Sequence, residues 1–175
     1  MRYVLYLLCL AMFVFCIIVG FFNPKNEITR VDFARSGAWS DRGAAFSVND
    51  SLIYKYCGGN GKRYCYIGRV TRGFWDTLNR KLESINYKTI DTIPPGELGA
   101  ADIGYYELIV HWKNNKRRIV RMSGLNNRPG SAVFEWLNYS YEHANIWPIK
   151  ETLKFETTYQ NGGLYADEKK YFHWK

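Results

Sequence analysis

The sequence predicts an α+β fold. The expectation is an antiparallel β-sheet built from hairpins, with two amphipathic helices at about 72–86 and 131–144, preceded by an N-terminal transmembrane helix. Three observations carry it. Residues 3–22, near the start of the chain, hold no charge. Stretches rich in β-branched and aromatic residues are joined by short turn signals, and short connections allow only antiparallel neighbours. Two later segments repeat apolar residues at helical spacing. The order is strands, helix, strands, helix.

Residues 3–22 read YVLYLLCLAMFVFCIIVGFF. At 1.5 Å per residue such a helix spans a bilayer core. Arg2 precedes it, and Asn23-Pro24-Lys25 ends it. An uncleaved signal-anchor fits this length. A cleaved signal peptide competes, with Ile18-Val19-Gly20 as its best small-residue site. A lipoprotein signal requires a small residue before its cysteine, but Leu8 precedes Cys9 and Phe15 precedes Cys16. The expected partner of residues 3–22 is therefore the membrane, with the bulk of the chain outside the cytoplasm, periplasmic or on the cell surface. Basic residues flank both ends, so the charge rule orients the span only weakly.

The chain divides into the anchor or signal segment (1–24), an α+β domain (25–146) and an aromatic-rich extension (147–175). Hydrophobic residues make up 47% of the chain, enough for a core. The formal net charge is +8, and beyond residue 24 there are 23 basic against 16 acidic residues. That balance favours anionic surroundings. No block of five like charges exists, so no nucleic-acid partner is expected.

Ile28 to Phe33 reads as the first strand. Ser36 to Gly43 is small and polar, a loop. Ala45–Val48 and Leu52–Tyr56 flank the turn Asn49-Asp50-Ser51. A further strand runs from Tyr64 to Val70. Thr71 is an N-cap signal, and Phe74, Trp75, Leu78, Leu82 and Ile85 then form the apolar stripe of the first helix. Pro94-Pro95-Gly96 makes a loop. YYELIVHW (105–112) and Arg117–Met122 form a second hairpin, with Asn114-Asn115 able to supply the positive φ of a tight turn. A two-residue turn sets Trp112 opposite Arg117, Val110 opposite Ile119 and Leu108 opposite Arg121. Val133, Phe134, Trp136, Leu137, Tyr141 and Ala144 make the second helix. Thr152–Tyr159 reads as a strand in the extension.

From Ile28 to Asn145 the pattern resembles a small bacterial cell-envelope domain family of unknown function. The residues that carry the resemblance are ITRVDFARSGAWSDRGAAFSV, NDSLIYKY, YIGRVTRGFWDTLNRKLESINY, YELIVHWKNNKRRIVRM and RPGSAVFEWLNYSY. It implies an exported, envelope-associated module and supplies no catalytic residues. Such domains open with a Gly-Cys-x-x-x-Cys-Pro signature. Here Ser36-Gly37-Ala38-Trp39 stands in its place, so no role of that signature carries over.

Tests for chemistry mostly fail. Gly61-Lys62 ends like a phosphate loop, but Tyr56 occupies the first glycine position and Arg63 replaces the hydroxyl. Zinc requires about four ligands at paired spacings. Cys57 and Cys65 stand eight apart, and His111, His143 and His173 are scattered. No Cys-x-x-Cys supports thiol redox chemistry. His111 is the one histidine well inside a strand, without a nucleophile at recognisable spacing. No cofactor, metal or catalytic residue is expected. The domain reads as a non-enzymatic binding or assembly module of the envelope, with an envelope hydrolase as the alternative.

Two binding surfaces are candidates. The tip of the second hairpin carries Lys113, Lys116, Arg117 and Arg118, a site for anionic lipid, acidic polymer or an acidic partner protein. A solvated turn that protects a sheet edge explains the same residues. Tyr54, Tyr56, Tyr64 and Tyr66 lie on paired strands and are able to stack on sugars, or on one another.

Finally, YKYCGGNGKRYCYIG (54–68) poses a register question. A two-residue turn at Asn60-Gly61 sets Cys57 opposite Tyr64 and Cys65 opposite Tyr56, on opposite faces. A bulge or a longer loop sets Cys57 opposite Cys65 and permits a disulfide. Export favours the bond, and turn chemistry opposes it.

Overall fold

Strand β1 (Ile28–Ser36) is the hub of the fold. In the computed structural model, which describes residues 27–36, 43–58, 64–86, 90, 104–124 and 130–157, β1 pairs antiparallel with β2 on one side and with β5 on the other. The chain runs on through β2 (Ala44–Asn49), β3 (Ile53–Gly58) and β4 (Tyr64–Arg69) as a meander. Helix α1 (Arg72–Glu83) follows, then β5 (Tyr105–Trp112), β6 (Arg117–Ser123) and helix α2 (Ser131–Asn138). A 3-10 turn (Ser140–His143) leads into β7 (Asn145–Ile149). The result, among the described residues, is a seven-stranded antiparallel sheet in the order β6-β5-β1-β2-β3-β4-β7, with two α-helices. This is the α+β class that the alternation predicts. Among the described residues no helix is long and apolar enough to cross a membrane, and the apolar segment 3–22 lies outside them.

Period-two alternation divides β1 cleanly. Val31 and Phe33 point to the helices, and Arg30, Asp32 and Ala34 to the other face. The helix-side core joins Val31, Phe33, Phe46, Val48, Tyr54, Leu108, Val110, Val120 and Met122 to Phe74, Trp75, Leu78 and Leu82 of α1 and to Val133, Phe134 and Leu137 of α2. Thr71 caps α1 as expected, its hydroxyl accepting from Phe74 N at 3.1 Å. The helix stops at Glu83, short of 86, although Ile85 stays buried beyond its end.

The second helix is also shorter than 131–144. Past Asn138 the chain tightens into the 3-10 turn, because that segment is pinned to the sheet. Ser140 Oγ and Tyr54 Oη share a buried hydrogen bond at 2.8 Å, and the rings of Tyr141 and Tyr56 stack with centroids 5.2 Å apart.

Three features differ from expectation. In the β5–β6 hairpin His111, not Trp112, opposes Arg117; Val110 opposes Arg118, and Leu108 opposes Val120. The turn holds three residues rather than two. Trp112 N donates to Lys116 O at 2.9 Å, and Asn115 takes the left-handed φ of 60°. One extra turn residue moves every side chain of β6 to the other face. Leu52, expected inside a strand, is the left-handed residue (φ 64°) that closes the β2–β3 turn. No strand forms over the described part of 152–159. The seventh strand is Asn145–Ile149 instead, so the boundary expected at 146/147 falls inside β7. Gly68 permits that pairing: a Cβ there would collide with the backbone of Asn145 and Ile146.

The cysteine hairpin takes the register that permits the bond. Cys57 stands directly opposite Cys65, and the two form a disulfide with Cα atoms 4.1 Å apart. Gly58 pairs with Tyr64, and not Cys57 with Tyr64 as expected for a two-residue turn; Asn60-Gly61 lies among residues 59–63, outside the described set. Phe155, Leu153 and Ile149 cover the disulfide together with Ala34, Ala45 and Tyr105, a second small core on the face away from the helices. Replacing both cysteines by alanine is expected to cost about 2–3 kcal/mol, the chain-entropy value for so short a loop. The denaturation midpoint under non-reducing conditions reads this, and an unchanged midpoint contradicts it.

Candidate functional site

Two polar assemblies stand out, one on each face of the sheet. On the face away from the helices, Arg30, Asp32, His111, Arg117 and Glu156 form one network. Asp32 is 1% exposed, and Arg30 Nε donates to its Oδ2 at 2.7 Å. Arg30 Nη2 also donates to Glu156 and lies 3.1 Å from His111 Nε2. Arg117 Nη1 donates to Glu156 Oε1 at 2.5 Å. The segment after β7 is thereby tied back across the sheet. Burial works against the charge of Glu156, but the Arg117 hydrogen bond, His111 and Arg30 outweigh it and hold its carboxyl below the usual range. Burial likewise opposes the Arg30 charge, and Asp32 and Glu156 together raise its pKa despite this.

Ligand atoms of Asp32, His111 and Glu156 lie within 4.8 Å of one another, a grouping that spacing along the chain does not reveal. The Arg30 guanidinium contacts all three, so a permanent cation already sits among them. His111 has no nucleophile to serve from Ser47, which shares its face. Ser47 stands two strands away, roughly 10 Å at ordinary strand spacing. The network is a clasp in its chemistry.

The second assembly lies on the helix side, at the end of the sheet where β1 finishes. Arg35 follows Val31 and Phe33 on the apolar face. In register with it on the next two strands stand the small residues Ala44 and Gly58. Around it gather Tyr106 of β5, Tyr56 of β3 and Tyr141 of the 3-10 turn. Burial pushes the hydroxyls of all three tyrosines up, and the Arg35 charge pulls each of them back. They stay neutral hydrogen-bonding groups. Arg35 Nε is buried and, among the described residues, has no hydrogen-bond partner; the same holds for Asn138 Oδ1. Tyr66 packs on Tyr56 at 5.9 Å between centroids. Tyr56 leans over Gly58, where a Cβ would strike its hydroxyl, towards Tyr64. Tyr64 and Tyr139 are exposed, 51% and 50%.

The tyrosine platform expected from the sequence is therefore corrected in one member and extended in others. Tyr54 is fully buried, stacked on Phe46 and edge-on to Phe74. It belongs to the core, because the helices cover the middle of that face. Tyr56, Tyr64 and Tyr66 lie nearer its open end. Arg35, Tyr106, Tyr139 and Tyr141 were not anticipated. One local signal existed: a charged Arg35 in phase with Val31 and Phe33 breaks the apolar alternation.

The basic hairpin tip does not form one patch. Lys113 lies in the turn and Lys116 just after it, Arg117 faces Glu156, and Arg118 points to the other face, opposite Val110. Lys113 pairs with Glu27 at 3.2 Å, and its backbone N donates to Glu27 O at 2.9 Å. Comparison of the chain with protein-family models finds no match, and no curated protein matches it.

Proposed function

We propose that the chain is a membrane-anchored, extracytoplasmic binding module whose tyrosine–arginine patch takes an acidic glycan of the cell envelope. The observation that carries this reading is the Arg35 guanidinium, with a buried Nε that lacks a partner among tyrosines. A buried donor left unmade is costly, and an incoming carboxylate satisfies it with a charge-assisted bond. Exposed tyrosine rings beside it supply amphipathic contact area for sugar rings. The Cys57–Cys65 bond supports an oxidising compartment, and residues 3–22 support the anchor. The resemblance to a cell-envelope family agrees with both. The hairpin tip contacts Glu27, which follows the apolar run 3–22 by five residues, so in this reading that end of the sheet is the one nearer the anchor in sequence. The patch lies at the other end of a nine-residue strand, about 27 Å away along it.

The test is binding of the full chain, in nonionic detergent, to an array of acidic and neutral oligosaccharides. Acidic members should bind, and Arg35→Met should weaken them roughly ten- to a hundredfold, the loss of one charge-assisted bond. Tyr139→Ala should cost less, with the fold intact by circular dichroism. Equal affinity for acidic and neutral sugars, or native affinity in Arg35→Met, would sink the reading.

A further inference from the structure

We propose that a separate cleft, at the opposite end of the sheet from the tyrosine patch, binds an organic ammonium group. The cleft has a volume of about 560 Å³ and lies between α1 and the start of β1. Two indoles line it, Trp75 from α1 and Trp112 from the end of β5. Four carboxylates also line it: Glu27 before β1, Asp50 in the β2–β3 turn, and Asp76 and Glu83 on α1. Arg72 is the one basic side chain among its described lining residues. Helical spacing produces this face, since residues 72, 75–76, 79 and 82–83 fall on one side of α1.

The chemistry selects the ligand. Among the described residues only one of the four carboxylates forms an ion pair, Glu27 with Lys113. The cleft thus carries net negative charge beside two electron-rich rings. Indoles attract weakly hydrated organic cations by the ring quadrupole, and carboxylates add Coulomb attraction. The volume falls in the range of small-molecule sites. A metal ion fits less well. Among the described residues the one group of three metal-ligating side chains is Asp32, His111 and Glu156, on the other face of the sheet. An ammonium ligand has two sources. Glu27 stands five residues beyond the apolar run 3–22, at most roughly 18 Å of chain, so a lipid headgroup is within reach. A soluble amine reaches the same cleft from solvent.

The test is saturation-transfer NMR on the full chain in nonionic detergent, with choline and spermidine as probes. The control is 3,3-dimethylbutanol, the neutral isostere of choline. Choline should bind, and the neutral isostere should be at least several-fold weaker. Trp112→Ala and Asp76→Asn should each weaken choline roughly five- to thirtyfold, the range of a cation–π or short-range charge contact. Asp76 is exposed, so its variant keeps the fold, and circular dichroism verifies both. Phosphatidylcholine vesicles that compete with free choline assign the site to a headgroup, and vesicles that do not compete assign it to a soluble amine. No transfer to either probe overturns the proposal. So do equal affinities for choline and its isostere, or native affinity in Asp76→Asn. Loss in Arg35→Met without loss here separates this cleft from the glycan patch.

Discussion

Phe134→Ala is expected to destabilise the domain by about 4 kcal/mol, within the range for deleting a buried aromatic ring. The side chain is fully buried. It meets Phe33 edge-on with centroids 6.0 Å apart, and Tyr106 edge-on at 6.4 Å. Those contacts hold α2 to β1 and β5. An eight-residue helix is too short to persist in water by itself, so α2 exists because this face is buried. The void left by alanine therefore also loosens the helix. Through it the loss reaches the 3-10 turn that supplies Ser140 and Tyr141. Since small domains hold only about 5–15 kcal/mol in total, the loss should lower the melting temperature by roughly 10 °C. Urea titration measures it directly. Phe134→Leu fills most of the space and should cost under about 2 kcal/mol. If Phe134→Ala moves the midpoint no more than Phe134→Leu does, α2 is not anchored as described.

What the sequence made legible follows from how local each signal is. Helix α1 needs only Thr71 and the stripe Phe74, Trp75, Leu78 and Leu82, all within one short segment. The β2–β3 hairpin needs only its turn residues and two apolar runs. The β5–β6 hairpin was legible as a hairpin but not in register, because Asn114-Asn115 is compatible with two or three turn residues. A single residue decides which face His111 and Arg118 occupy. Strand β7 was hidden by Pro148, which reads as a breaker. The strand tolerates it at the sheet edge, where no further ladder bond is required. The clasp was illegible for a different reason. Arg30 meets His111 across a sequence separation of 81 residues and Glu156 across 126, and no spacing rule reaches that far. The tyrosine patch was half legible. Tyr56, Tyr64 and Tyr66 come from one hairpin, whereas Tyr106, Tyr139 and Tyr141 arrive through β5 and the 3-10 turn.

Arg30→Met is expected to cost about 3 kcal/mol at neutral pH, the lower end for removing one partner of a buried ion pair. The lower end applies because solvent reaches Arg30, whose side chain is 39% exposed, although the side chain of Asp32 beside it is only 2% exposed. Methionine preserves the packing of the side-chain stem and removes only the guanidinium. Asp32 then keeps His111 as its one neighbour in the clasp, and Glu156 keeps Arg117 and His111. The pH dependence separates these effects. A carboxylate whose folded pKa is lowered contributes stability that is fully present above its unfolded value, near 4.3, and is lost as pH falls through the lower folded value. Glu156 is such a group. Its share of the clasp should therefore vanish in acid for native protein and variant alike, and the gap between them should narrow from pH 7 to pH 3. Glu156→Gln removes the tie of the C-terminal segment without stranding a buried charge. It should cost under about 1 kcal/mol at pH 7, because its partners are partly solvated. Paired urea titrations of the three proteins at the two pH values decide the matter. A gap between native protein and Arg30→Met that widens in acid, or a Glu156→Gln loss equal to that of Arg30→Met, would show that buried Asp32 is not what Arg30 serves.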